Sequence, residues 1–334
     1  MKKIYVIAEA GVNHNGNLDL ALRLVNAAHQ AGADAVKFQT FKAERLVGKG
    51  AEKAEYQKRT TEASEGQLEM IRRLELNRAA HLELLTRCSA LGIDFLSSAF
   101  DLDSIEFLRE LGIPLWKIPS GEITNLPYLR RLGYFGSRIL LSTGMATLGE
   151  VEEALMVLEA SGTARSMVTI LHCTTEYPAP FDEVNLRAMV TMGKTFGTEF
   201  GYSDHTEGIA IPIAAAALGA AVIEKHFTLD RTMEGPDHKA SLEPEELAAM
   251  IRGIRQVEVS LGDGLKRPTA TELINRPIVR KSLVAIRPIK RGEIFSAENL
   301  GTKRPGTGLS PMEWDKVMGR IAFRDFEEDE TIEL

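Results

Sequence analysis

The sequence predicts a (β/α)8 TIM barrel followed by a small β-rich module. Eight short β-rich runs recur with helical patterns between them, the signature of βα units. Eight such units in about 250 residues are the arithmetic of a closed barrel. After LGDGLKRPTATELINRP, which begins at Leu261, the composition changes to short β-like runs and glycine-proline turns.

In order, the runs are IYVIAEAG from Ile4, AVKFQT from Ala35, DFLSSAF from Asp94 and LWKIPSGE from Leu115. ILLSTG from Ile139, VTILHCT from Val168, EFGYSDHT from Glu199 and AVIEKHFT from Ala221 complete the set. Between the first two, a helix is expected over 18–29, with Leu22, Val25 and Ala28 on one stripe and Gly32 as its stop. Thr147 and Glu150 have capping-box spacing. The Ala-rich segment 211–218 suits close packing on a barrel exterior. Residues 43–77 are long and polar, and are expected to form an excursion over the catalytic face. The barrel is assigned to residues 1–265, a linker to 266–279 and the small module to 280–334. About 55 residues are few for independent stability, so the module is expected to lean on the barrel or on a second chain.

Composition narrows the function. The 334 residues, 44% hydrophobic and 26% charged, are ordinary for a soluble globular protein. The net charge of -7 comes from 40 basic and 47 acidic residues with no basic block, which argues against nucleic acid or an anionic membrane as partner. Glu9 and Asn13 interrupt the first apolar run before a signal-peptide core forms. Two distant cysteines, Cys88 and Cys173, read as free thiols in a reducing cytoplasm. No Walker loop, HExxH or Rossmann glycine fingerprint occurs.

Nearly every strand finishes polar, where a barrel gathers its catalytic groups. The ends carry Glu9, then Lys37 and Gln39, Ser98, and Lys117 with Ser120 and Glu122. Ser142, His172 and Thr174, Ser203 to His205, and Glu224 to His226 follow. Alternation puts Glu224 and His226 on one face and Lys225 on the other, and pairs Ser203 with His205. His205 and His226 therefore sit on neighbouring strands at matching depth, half of a site for a divalent metal completed by water and substrate oxygens. Lys37 and Lys117, with Ser98, Ser120, Ser142 and Ser203, suit a small phosphorylated carboxylate. A Schiff-base lysine is the rival reading for either. Glu9 and Glu122 are candidate acids, bases or hydroxyl acceptors.

The motifs AEAGVNHNG, KFQT, KIPSGE, LSTGM, LHCTTEYPAP, GYSDHT and EKHFT, with GPDHKASLEP from Gly235 and KRPGTG from Lys303, occur in this order over essentially the whole chain. In this the sequence resembles the sialic acid (N-acetylneuraminate) synthase family. The resemblance implies condensation of phosphoenolpyruvate with an N-acetylmannosamine-type sugar, giving a nonulosonic acid and phosphate with C–O cleavage. It implies a C-terminal SAF domain (antifreeze-like, a β-clip) and a domain-swapped homodimer. The cofactor it implies is Mn2+, with Mg2+ or Co2+ as alternatives, held by His205 and His226. Lys37, Lys117, Ser120, Ser142 and Ser203 would hold phosphoenolpyruvate, with Ser98 near its carboxylate. Glu9 and Glu122 would serve at the reacting centre, Tyr177 and Asp237 would contact the sugar, and Arg304 would read the N-acyl group in the partner's site. The sugar would be N-acetylmannosamine or a 2,4-diacetamido-trideoxyhexose, the latter leading to legionaminate or pseudaminate. Two departures stand out: Thr175 occupies a position where some members have Asn, and Ser98 one where Thr is common. The competing functions are a Schiff-base aldolase acting on nonulosonic acids and a non-catalytic carbohydrate-binding protein.

Overall fold

Eight parallel strands close on themselves in chain order: β1 (Tyr5–Gly11), β2 (Ala35–Thr40), β3 (Asp94–Ala99), β4 (Trp116–Ile118), β5 (Ile139–Ser142), β6 (Val168–His172), β7 (Glu199–Asp204) and β8 (Val222–His226). Closure comes from β8 pairing with β1, in a register running from Tyr5 opposite Val222 to Glu9 opposite His226. The structure is a computed structural model that describes residues 3–48, 50–54, 57–58, 61 and 65–334. It divides into two units, Met1–Gly262 and Asp263–Leu334.

The helices between the strands are delimited by local chemistry. Asn17 caps Leu18–Ala31 by accepting from the Leu20 amide, and Gly32 ends it at φ 86°, in the left-handed region open to glycine. Its buried stripe is Ala21, Leu24, Val25 and Ala28; the expected Leu22 is only half-buried. Thr147 and Glu150 form the anticipated capping box on Leu148–Ser161, and the Ala-rich segment forms Ala210–Ala217. Against these helices pack outward strand residues such as Val6, Val36, Phe38, Phe95, Leu141, Ile170 and Ile223. Each is worth about 1.5–3 kcal/mol on burial.

The inward-facing residues form two layers, and this layering creates the site. Ile7, Ala35, Leu96, Leu115, Leu140, Leu171 and Val222 make an apolar plug. Two residues further along each strand, on the same face, the chain turns polar: Glu9, Lys37, Ser98, Lys117, Ser142, Cys173 and Glu224. At the plug's level β7 has Gly201, because a Cβ there would collide with the Val222 carbonyl oxygen and lie 2.7 Å from Leu171 Cδ2.

Of the expected excursion, the helices Ala43–Leu46 and Gln67–Arg72 are described; residues 49, 55–56, 59–60 and 62–64 lie outside the described residues. Glu75 ties its two ends together, accepting from the Ala43 amide at 2.7 Å and Lys42 Nζ at 2.9 Å. Val12, Phe41 and Leu74, with Leu46, Ile71 and Phe100, pack into an apolar cluster.

In the second unit, β9 (Ser282–Ala285) pairs antiparallel with β10 (Leu300–Lys303). Its own core includes Leu283, Ile289, Phe295, Leu300, Val317, Phe326 and Ile332. The segment expected to be a linker contains a helix, Ala270–Val279, opened by a capping box between Thr269 and Glu272. None of its side chains is buried, and Leu273, Ile274, Ile278 and Val279 are exposed.

Candidate active site

The sequence-predicted residues of the barrel converge. Glu9, Lys37, Ser98, Lys117, Ser120, Glu122, Ser142, Tyr177, Ser203, His205, His226 and Asp237 line a single cavity of about 580 Å³ at the C-terminal ends of the strands. Arg304 lies in the second unit, exposed, with its Nε donating to the Val279 carbonyl at 2.9 Å. His172 belongs to the opposite face of β6, where its Nε2 meets the Val184 carbonyl at 2.7 Å.

At the cavity floor the two lysines share a carboxylate that the sequence reading left out of its site. Glu224 Oε1 accepts from Lys117 Nζ at 2.9 Å and from Ser203 Oγ at 2.9 Å, and its Oε2 lies 3.6 Å from Lys37 Nζ. Lys37 in turn reaches Glu9 Oε2 at 2.8 Å and Ser98 Oγ at 3.2 Å. Burial acts to raise the Glu224 carboxyl, but the Lys117 and Lys37 ammonium groups outweigh it and hold the acid well below its ordinary value. Glu9 goes the other way: burial, opposed by Lys37 and reinforced by Glu224, pushes it up to about 7. The signal for Glu224 was its parity, two residues before His226 on the same face.

The hydroxyls cluster on the adjacent wall. Ser120 Oγ accepts from the Gly144 amide at 3.0 Å and lies 3.2 Å from Cys173 Sγ. Gly144 has to be glycine in this packing, since a Cβ would collide with Thr175 Oγ1 and lie 2.8 Å from Ser120 Oγ. Among the described residues, the buried Ser142 Oγ and Thr175 Oγ1 find no hydrogen-bond partner, which suits both to ligand oxygens. Glu122 is raised by burial, against a 2.6 Å hydrogen bond from Asn125 Nδ2.

The two imidazoles stand with ring centroids 5.4 Å apart. His205 Nδ1 donates to the Thr174 carbonyl at 2.6 Å, which leaves Nε2 as the lone-pair atom, the arrangement expected of a metal ligand. Burial pushes His205 down to about 4 and holds His226 well below its ordinary value, with His205 adding to the latter. Among the described residues His226 Nδ1 finds no hydrogen-bond partner; it lies 3.8 Å from Asp237 Oδ2. Buried neutral imidazoles with a free lone pair fit a divalent cation. Among the described residues no group of three or more His, Cys, Asp or Glu side chains is placed to hold one, so water or substrate would complete the shell. Tyr177 packs on both rings, at 4.1 Å from His205 and 5.6 Å from His226. Burial pushes Asp237 up to about 6.

The cavity lining also has an apolar part, Val12, Phe41, Leu46, Val47, Met70, Ile71, Leu74 and Phe100, most of it supplied by the excursion, which adds Gln57 and Gln67 as well.

A closed barrel with lysines, carboxylates, hydroxyls and imidazoles gathered at one layer of strand ends defines an enzyme of the (β/α)8 class. Comparison with known proteins makes the class specific. The NeuB family model matches residues 24–266 and the SAF domain model residues 280–333. The chain belongs to the NeuB family, the sialic acid synthase family that its motifs resemble, with a C-terminal SAF domain. It is 56% identical over 99% of both chains to an N,N'-diacetyllegionaminic acid synthase of Campylobacter jejuni. A second N,N'-diacetyllegionaminic acid synthase, from Legionella pneumophila, is 48% identical over 94% of this chain and 89% of its own. Among solved structures, an N-acetylneuraminic acid (sialic acid) synthetase from Leptospira borgpetersenii, crystallised with citrate, superposes with a TM-score of 0.73 at 34% identity, covering 82% of this chain and 90% of that one. Among the described residues no helix is long and apolar enough to cross a membrane.

Proposed function

We propose that the chain condenses phosphoenolpyruvate with a 2,4-diacetamido-trideoxyhexose of mannose type, giving a legionaminate-type nonulosonic acid and phosphate. The observation that carries this reading is the lysine pair. Lys37 and Lys117 present two buried ammonium groups tied by one carboxylate, Glu224, beside buried hydroxyls at Ser142 and Thr175 that find no partner among the described residues. That is a receptor for a compact anion carrying both a carboxylate and a phosphate.

In the reaction, C3 of phosphoenolpyruvate bonds to the aldehyde carbon of the open sugar, and water adds its oxygen at the former C2. The C–O bond to phosphate breaks, and phosphate leaves with the bridging oxygen. Lys37, Lys117, Ser98, Ser120, Ser142 and Ser203 hold and neutralise the anion in this reading. Glu9, pushed by burial to about 7, has the affinity that proton transfer near neutrality needs. Glu122 orients the attacking water or a sugar hydroxyl, and Tyr177 and Asp237 border the sugar. A divalent cation, Mn2+ foremost and Mg2+ or Co2+ as alternatives, would be held by His205 and His226 and supplies Lewis-acid polarisation of the aldehyde when bound. Arg304 is assigned to the sugar's N-acyl group in a second copy of the chain, within a domain-swapped homodimer.

Two observations favour the deoxy sugar. Both legionaminic acid synthases quoted above share about half or more of this chain's residues. The wall of Phe41, Met70, Ile71 and Leu74 suits a methyl and an acetamido methyl better than a hydroxymethyl, although a purely apolar wall rejects an extra hydroxyl by only about 100-fold.

The aldolase alternative loses ground on the lysines. A Schiff base requires a neutral amine, and Lys37 is shifted the other way: burial opposes its charge, but Glu224 and Glu9 outweigh burial and raise it. Lys225 turns out of the cavity toward Asp204.

Mass spectrometry of products formed from phosphoenolpyruvate with each candidate sugar tests the assignment, using substrate labelled with 18O at the bridging oxygen. The labelled phosphate and a nine-carbon keto acid from the diacetamido sugar are expected. A borohydride-trapped pyruvate adduct at Lys37 or Lys117, with no condensation product, would overturn it.

A further inference from the structure

Behind the cavity wall, on the outward faces of β7 and β8, lies an ion pair that plays no part in the reaction above. Asp204 and Lys225 sit opposite each other in the strand register, and Nζ meets Oδ2 at 2.6 Å with neither side chain exposed. The Asp204 carboxylate also closes a loop around the next residue but one: Oδ1 accepts from the Thr206 amide at 3.1 Å and from its hydroxyl at 2.9 Å. Lys225 donates in addition to the Thr206 carbonyl. The residues on both sides of His205 are thus held by one carboxylate, and that carboxylate is held by the residue immediately before His226.

A fully buried pair of this kind is a poor device for stability. Taking two charges out of water carries a desolvation penalty that their attraction often fails to recover, and apolar replacements of similar volume are often neutral or stabilising. The main chain already joins the two strands without it, in a parallel register that runs from Tyr202 opposite Ile223 to Asp204 opposite Lys225. What the pair adds is a fixed link between the two strand ends at the depth where the imidazoles project into the cavity.

We propose that the Asp204–Lys225 pair is a positioning device for His205 and His226, setting the spacing and orientation at which the two rings converge on a divalent cation. Neither residue touches substrate. The inference rests on the metal reading given above.

Two charge-free double variants test it, Asp204→Asn/Lys225→Met and Asp204→Leu/Lys225→Met, since single changes would strand a buried charge. Calorimetric titration of metal-stripped protein with MnCl2 is the main readout, with phosphoenolpyruvate binding and thermal unfolding measured alongside. The expected result is a folded protein with near wild-type melting and phosphoenolpyruvate affinity, but with Mn2+ bound about 10–100-fold more weakly, the usual cost of losing an outer-shell support. Unchanged Mn2+ affinity in a folded double variant overturns the proposal. So does a parallel loss of melting temperature, phosphoenolpyruvate binding and metal binding, or failure of both variants to fold, because the pair would then serve stability. Absence of Mn2+ binding by the wild type would sink the metal reading itself, and the wild-type titration distinguishes that outcome from the others.

Discussion

Replacing Glu224 by Gln probes the cavity floor directly. The carboxylate is 3% exposed and meets one ammonium at 2.9 Å and another at 3.6 Å. At an effective dielectric of about 20, each attraction is worth about 5 kcal/mol before desolvation is counted. Gln keeps an acceptor for Lys117 and Ser203 but removes the charge, and its amide group would face Lys37 as donor against donor. Stripping one partner from a buried ion pair costs about 3–5 kcal/mol; at about 2 °C per kcal/mol for a domain of this size, the melting temperature should fall by roughly 6–10 °C. Phosphoenolpyruvate would return negative charge to the same two lysines, so its stabilising effect should be larger in the variant than in the wild type. Thermal unfolding with and without phosphoenolpyruvate reads both quantities. An unchanged melting temperature without ligand, or equal ligand-induced shifts in the two proteins, would refute the view that Glu224 is the counter-charge of the anion site.

Other expectations follow from particular contacts. Gly144→Ala should raise the KM for phosphoenolpyruvate at least tenfold in steady-state assays, because its methyl occupies the space of Thr175 Oγ1 and crowds Ser120 Oγ. Arg304→Ala should raise the KM for the sugar while leaving that for phosphoenolpyruvate unchanged, measured by varying each substrate in turn. At Asp34, burial acts to raise the carboxyl, but bonds from Lys3, the Val6 amide and Arg255 outweigh it and lower it below 3.8. The stabilisation is therefore complete above that value and drains away as pH falls through the lowered one, so Asp34→Asn should flatten the loss of melting temperature between about pH 5 and 3.

The barrel was legible because its strands carry their own punctuation, and because the switch from an apolar to a polar residue two positions further along, as from Ile7 to Glu9, Ala35 to Lys37 and Leu140 to Ser142, is a sequence pattern. Parity put Glu224 and His226 on one face and Lys225 on the other without saying which face lines the barrel; in the structure Glu224 and His226 line the cavity and Lys225 turns outward to Asp204. The anchoring role of Glu224 was not legible, since it depends on where lysines from β2 and β4 converge, and that is set by barrel curvature rather than by spacing along any one strand. His172 showed the limit of reading strand ends without parity: it is polar and terminal but faces away. The helix Ala270–Val279 escaped because Pro268 precedes it and Pro277 lies within it, although its capping box at Thr269 and Glu272 is the same signal that succeeded at Thr147. The apolar part of the cavity lining supplied by Leu46, Val47, Met70, Ile71 and Leu74 was hidden by the polar composition of the segment that carries them.

The most direct test of the central claim is phosphate release from phosphoenolpyruvate by metal-stripped protein, with and without Mn2+, in the presence of N-acetylmannosamine or the 2,4-diacetamido-trideoxyhexose. The account predicts release that requires both Mn2+ and a sugar, and that is faster with the diacetamido sugar. Release without any sugar, or none with either sugar in the presence of Mn2+, would contradict it.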